Sequence, residues 1–317
     1  MAAACPDLAH HMTMMILNAL SIDVEDYYQV EGFSPQVRFD EWPAFESRVT
    51  GNTWRLLELL HGARVKATFF ILGWIGEQFP QVVRAIHEHG HEVASHGYRH
   101  RLLYTMTRQE FSEDTKRAKA ILEDLSGEPV IGYRAPCFSI IRQNLWCLET
   151  LHDLGFQYDS STFPIHHDRY GLSNGSRAPY DHHLPDGKRL LEFPLATVRM
   201  FGQNLPVAGG GYFRLFPYRF TRWAIRHINE VDKIPATFYL HPWEIDPAQP
   251  RINGSPLNRF RHYVRLDKTE PKLRRLLGDF HFVPLRTLAS TMALSMNGNG
   301  RPQRQPVQAA RVIGENR

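Results

Sequence analysis

Cysteine is scarce in this chain. Cys5, Cys137 and Cys147 are the only three in 317 residues, too few for a disulfide framework, and no C-x-x-C pair is present. Such usage fits a reducing compartment, and stability must come from an apolar core, which a chain of this length can bury. Long apolar runs are missing too. The stretch from Met12 to Ile22 is interrupted by Thr13, Asn18 and Ser21, with no Lys or Arg before it, so it lacks the basic start of a signal peptide. It is also too short to span a bilayer. The expectation is a cytoplasmic protein without a membrane span, whose membrane association, if any, runs through partners. A large surplus of one charge is absent as well. The net charge is +4; Arg301, Arg304, Arg311 and Arg317 against Glu315 supply +3 of it, leaving +1 for the rest. A nucleic-acid binder should carry its basic residues as a patch on the folded domain, so no nucleic-acid partner is expected.

What is present is globular: 43% hydrophobic and 22% charged residues. Residues 1–13 read as a loose leader, with Met14 or Met15 as an alternative start. Residues 14–290 read as the folded domain. Residues 291–317, polar and rich in Asn, Gly, Gln, Pro and Arg from Asn297 on, read as a disordered tail. Ile16–Val24, Val65–Leu72, His91–Ser95, Val130–Arg134, Phe156–Tyr158, Ala236–Leu240 and Phe280–Val283 are strand candidates. Thr53–Leu60, Phe79–His89, Thr107–Leu125, Asn144–Leu154, Tyr218–Asn229 and Pro271–Leu277 are helix candidates. Thr107 and Glu110 form a capping box, and Gly127 follows the helix end. Ser160–Gly211 reads as long loops with a few strands. This alternation predicts an α/β fold of βα units around a parallel sheet or barrel.

Four strand ends carry chemistry. Asp23, Glu25 and Asp26 follow the first strand, on the side where parallel α/β folds place their sites. His96 and His100 stand four apart, a spacing that would set both rings on one side of a helical turn. Two imidazoles and one carboxylate make a common catalytic zinc set. With 17 histidines in the chain, chance pairs are expected, and His87, His89 and His91 read as surface residues. Arg134, before Pro136, could fix a carboxylate through a bidentate pair. His241, beside Trp243, suits a proton donor. Each cluster alone has an ordinary structural explanation; acids, a His pair, an Arg and a lone His in this order do not.

In that order the residues resemble the NodB-homology polysaccharide deacetylases, a carbohydrate esterase family, from about Leu17 to Leu285. Asp-Val-Glu-Asp-Tyr-Tyr-Gln-Val, His-Gly-Tyr-Arg-His, Tyr-Arg-Ala-Pro and Gly-Gly-Gly-Tyr-Phe-Arg-Leu-Phe-Pro look like the branch found with exosortase and exopolysaccharide clusters, whose distinctive C-terminal region begins here near Tyr158. The resemblance implies an irregular (β/α) barrel of fewer than eight strands, a distorted TIM-type fold. It implies hydrolysis of N-acetyl groups on a polysaccharide, with a divalent metal, zinc by expectation, and association with membrane-bound polysaccharide machinery. Asp23 would be the general base, Arg134 its holder, and His241 the general acid with Asp159 tuning it. His96 and His100 would bind the metal. Val24 stands where the family has its second Asp, so the carboxylate ligand would come from Glu25 or Asp26. The oxyanion would rest partly on a backbone N–H near Tyr98 or Phe138, and Trp74, Phe138 and Trp243 are candidates for a sugar-stacking wall. Two rivals remain: a metal-independent amidase of the allantoinase type, and a non-catalytic glycan-binding protein on the same scaffold.

Overall fold

A computed structural model describes residues 16–165, 171 and 175–298. The predicted leader and the tail beyond 298 lie outside the described residues.

The first apolar run forms β1 (Asn18–Val24), in which every residue is buried, as in a parallel sheet covered on both faces. The other strands are β2 (Thr68–Ile71), β3 (Glu92–Ser95), β4 (Gly132–Tyr133), β5 (Tyr158–Asp159), β6 (Tyr180–His183), β7 (Arg189–Glu192), β8 (Thr197–Met200), β9 (Gln203–Pro206), β10 (Thr237–Leu240) and β11 (Phe282–Val283). The main sheet runs β10-β1-β2-β3-β4-β5-β7-β6, with β11 also on β1. Its strands from β10 to β7 are parallel; β6 pairs antiparallel, and β8 with β9 forms a separate hairpin. After β7 the chain turns back across the gap. Phe193 N–H bonds to Asp159, Leu195 N–H to Thr162 and Ala196 N–H to Thr237, all at carbonyls. The curled sheet is therefore closed by irregular backbone bonds where an eighth strand would stand.

Phe70, Tyr158 and Phe193 fill the inside together with Leu285 and Leu288. The latter two come from the helix Leu285–Gly298, which runs past the domain end expected at 290. Glu92, at the start of β3, accepts hydrogen bonds from Thr68, Tyr158 and the Arg286 backbone. The helix thus closes the N-terminal end of the strands and leaves the C-terminal end for a site.

Local signals held where they were chemical. Thr107 and Glu110 cap the helix Arg108–Ser126, and Gly127 ends it at φ 70°. His91, expected at the surface, is buried: its Nδ1 accepts the Ala67 N–H. The helix expected from Thr53 begins at Val49 instead, because a distant carboxylate, that of Asp26, caps it.

Candidate metal centre and acid–base groups

β1 ends at Val24, and Glu25 N–H turns back to the Asp23 carbonyl, so Asp23 and Glu25 both project at the strand end. Arg134, fully buried just after β4, reaches across the barrel mouth. Its Nη1 donates to Asp23 Oδ1 at 2.6 Å and to Ser21 Oγ at 2.7 Å. Its other N–H groups go to the Ser160 carbonyl and hydroxyl, and its plane lies 4.2 Å from the Phe70 ring centroid. The contact with Asp23 is a single charged hydrogen bond rather than a bidentate fork.

The His pair converges, though not by a helical turn. Gly97 has φ 73° and His100 has φ 54°, so the segment after β3 is a loop, and the left-handed position at Gly97 favours glycine. His96 Nδ1 lies 2.7 Å from the Arg134 carbonyl; an oxygen there can only accept, so Nδ1 carries the proton and Nε2 keeps its lone pair. Burial holds the His96 pKa down at about 4, which favours the neutral ring. His100 Nε2 lies 2.9 Å from Glu25 Oε2. Ligand atoms of Glu25, His96 and His100 all fall within 4.8 Å of one another. Burial disfavours charge on Glu25, but His100 and His241 outweigh it and hold the carboxyl at about 2. Oε2 of Glu25 is buried with no partner besides that imidazole. One carboxylate oxygen and two imidazole nitrogens suit a divalent ion such as zinc with positions left open.

Asp26 does not join this cluster. Its carboxylate accepts from Ser47 Oγ and from the backbone N–H groups of Tyr27, Arg48 and Val49. A carboxylate so engaged at a helix start is a cap, which corrects the alternative that it is a ligand.

His241 closes β10. Its Nδ1 lies 2.7 Å from Glu244 Oε1, and its Nε2 lies 3.3 Å from Glu25 Oε1. Burial opposes charge on the ring, but Glu25 and then Glu244 prevail and push its pKa up to about 9. Arg214 Nε donates to Glu244 Oε2 at 2.7 Å, both side chains buried. Asp159 is therefore not the partner of this histidine. It accepts from Ser161 Oγ and is held well above its ordinary pKa by burial and by Glu192. Sequence reasoning missed Glu244 and Arg214. Glu244 sits three residues after His241, at capping spacing, and also accepts the His241 N–H; Arg214 lies within the Gly-Gly-Gly-Tyr-Phe-Arg stretch, which had been given no chemical role.

Two further expectations are narrowed. Tyr98 N–H donates to Asp114 and Phe138 N–H to the Ala135 carbonyl, so neither is poised for an oxyanion. Trp74 packs against Trp42 and Phe79 in the core. Trp243 stacks between His241 and His262, with ring centroids at 5.0 and 4.1 Å, and its Nε1 points to Glu25. A cavity of about 380 Å³ adjoins this stack, with Tyr212, Tyr239, Trp243, Phe260 and His262 in its wall.

Two family models match the chain. A family model described as polysaccharide deacetylase matches residues 36–158, and a second, described as a domain of unknown function, matches 160–290. The chain is 33% identical over 112 residues to a peptidoglycan-N-acetylglucosamine deacetylase of Bacillus cereus, covering 35% of this chain and 39% of the relative. It is 34% identical over 116 residues to a peptidoglycan deacetylase of Helicobacter pylori, covering 36% and 37%. The chain thus spans less than two fifths of these relatives' length. A crystal structure from Mycobacterium smegmatis, of a protein assigned to the polysaccharide deacetylases, superposes with TM-score 0.58 at 20% identity, covering 92% of this chain and 94% of that one. Puue allantoinase superposes with TM-score 0.56 at 16% identity, covering 88% and 90%. These structures share the fold. The His pair and Arg134 lie inside the first match, Asp23 and Glu25 just before it, and His241 in the second. Residues 36–158 thus match the polysaccharide deacetylase family, and residues 160–290 match a family whose model names no function.

Proposed function

We propose that this chain hydrolyses N-acetyl groups on a polysaccharide with the help of a divalent metal, zinc by its donor set, held by Glu25, His96 and His100. The observation that carries the reading is this ligand cluster beside a carboxylate, Asp23, gripped by Arg134, with an imidazole, His241, facing the same Glu25. A divalent ion bound there would polarise the acetyl carbonyl and lower the pKa of a coordinated water. Asp23 accepts a proton from the attacking water, and Arg134 keeps that carboxylate ionised and aimed. His241, kept protonated by Glu25 and Glu244, donates its proton to the amide nitrogen as the C–N bond breaks. Acetate and a free sugar amine result.

An exopolysaccharide is the substrate we favour, on the resemblance of the His-Gly-Tyr-Arg-His and Gly-Gly-Gly-Tyr-Phe-Arg segments to the exopolysaccharide-associated branch. The same reading puts the work in the cytoplasm beside membrane-bound machinery. No helix among the described residues is long and apolar enough to cross a membrane. The allantoinase-type reading shares the fold, but the converged ligand set favours a metal.

The test is acetate release from N-acetylglucosamine oligomers, with and without chelator, alongside metal analysis of the purified protein. Release that stops on chelation and returns with zinc supports the reading. Release indifferent to chelator supports the metal-independent amidase, and binding without release supports the non-catalytic scaffold.

A further inference from the structure

The cavity beside Trp243 does not end the apolar surface. Tyr212, in its wall, contacts Phe216 at a centroid distance of 6.3 Å with the rings 23° from parallel. Phe216 contacts Phe220 at 4.9 Å, and Phe220 contacts Trp223 at 5.7 Å. The last two stand on the helix Tyr218–Glu230, whose inner face buries Thr221, Ala224, Ile225 and Ile228. Residues 219, 223 and 226 fall on the opposite side by helical spacing. They are Arg219, Trp223 and Arg226, and all three are exposed, Trp223 to 44%. The exposed indole stands between two arginines, at the end of a ring series that starts at Tyr212 in the cavity wall. Exposed apolar surface rimmed by charge marks an interaction site.

We propose that this stripe binds an anionic glycan chain, extending the substrate cleft from the cavity out along Phe216, Phe220 and Trp223. Aromatic faces take the apolar faces of sugar rings, and the arginines take carboxylate or phosphate substituents, for which a planar guanidinium is suited. The ring series favours a glycan over a membrane surface because it is continuous, through Tyr212, with the cavity beside Trp243 and His241. The link to catalysis rests on the deacetylase reading; binding to the stripe does not.

Hyaluronan oligomers, which carry both N-acetylglucosamine and a carboxylate, are the probe, and neutral N-acetylglucosamine oligomers of matched length are the control. The full chain should bind the acidic oligomer more tightly, and the margin should shrink as salt rises. Trp223→Ala should weaken binding of the acidic oligomer by roughly tenfold, the scale of one lost aromatic contact. Arg219→Gln with Arg226→Gln should abolish the preference for the acidic probe. Both changes are at exposed positions, and a melting curve confirms folding. In turnover, Trp223→Ala should raise KM for long oligomers relative to a disaccharide, with kcat moving less. Wild-type affinities in both variants would overturn the proposal, as would binding to anionic lipid vesicles with none to hyaluronan. Release of acetate with no dependence on Trp223 would remove the track and keep the reaction; Trp223-dependent binding without acetate release would do the opposite.

Discussion

Glu244 holds His241, with its Oε1 2.7 Å from the imidazole Nδ1 and its Oε2 2.7 Å from Arg214 Nε. The ring is thereby fixed in orientation, and its charged form is favoured. Arg214 in turn neutralises the buried carboxylate and gives its remaining N–H groups to the carbonyls of Arg261, His262 and Val264. A proton donor tied to the barrel in this way needs no rearrangement when it acts.

Glu244→Gln should shift the alkaline limb of the pH profile. Glu25 and Glu244 together raise the His241 pKa to about 9 against the effect of burial, so neutralising Glu244 lets the ring lose its proton at lower pH. The limb of kcat/KM should move down by about one pH unit, the scale of one opposite charge at contact distance. A pH–rate profile in which that limb stays put would remove His241 as the acid or Glu244 as its partner.

Glu25 and Asp26 should separate cleanly. Glu25→Gln, like His96→Ala with His100→Ala, should strip the metal, read by elemental analysis of the dialysed protein. Asp26→Asn should keep the metal and lower stability by about 1 kcal/mol, the usual worth of a helix cap, read by urea unfolding. Zinc retained by the double His variant would refute the site.

Asp23→Asn should retain metal and fold while acetate release falls on the order of 10²–10⁴, the range for a positioned proton-transfer group. Steady-state rates together with metal content decide this. An equal loss of metal would recast Asp23 as a ligand.

Stability should fall with acid partly through His91. Burial drives its pKa from 6.5 down to about 3. Between those values the unfolded chain binds a proton that the folded chain does not, so this contribution is complete above pH 6.5 and is lost as pH falls toward 3. Urea unfolding at pH 7 and pH 5 should show a smaller pH effect in His91→Gln than in the wild type, by up to ~1.4 kcal/mol per pH unit. Equal slopes would mean that the ring is not held neutral.

Much of the fold was written locally. Thr107, Glu110 and Gly127 set the limits of one helix through hydrogen bonds to their own neighbours, and the apolar run of β1 could lie only inside a covered sheet. The division of labour between Glu25 and Asp26 was not local. Adjacent acids at a strand end look alike until one is seen to meet His100 and the other the amides of Arg48 and Val49. Asp159 was misplaced for a related reason: chain order suggested a partner for His241, whereas the nearest carboxylate came from three residues beyond that histidine.

By itself the sequence determined the chemical inventory, the alternation of strands and helices, and the strand ends at which reactive groups stand, because periodicity and capping act within a few residues. Only the tertiary structure decided which groups share a proton, a charge or a metal. Arg134 and Asp23 are 111 positions apart and Trp243 and Glu25 are 218 apart; the curl of the sheet, not any local preference, brings such atoms within bonding distance, where burial makes their interactions strong.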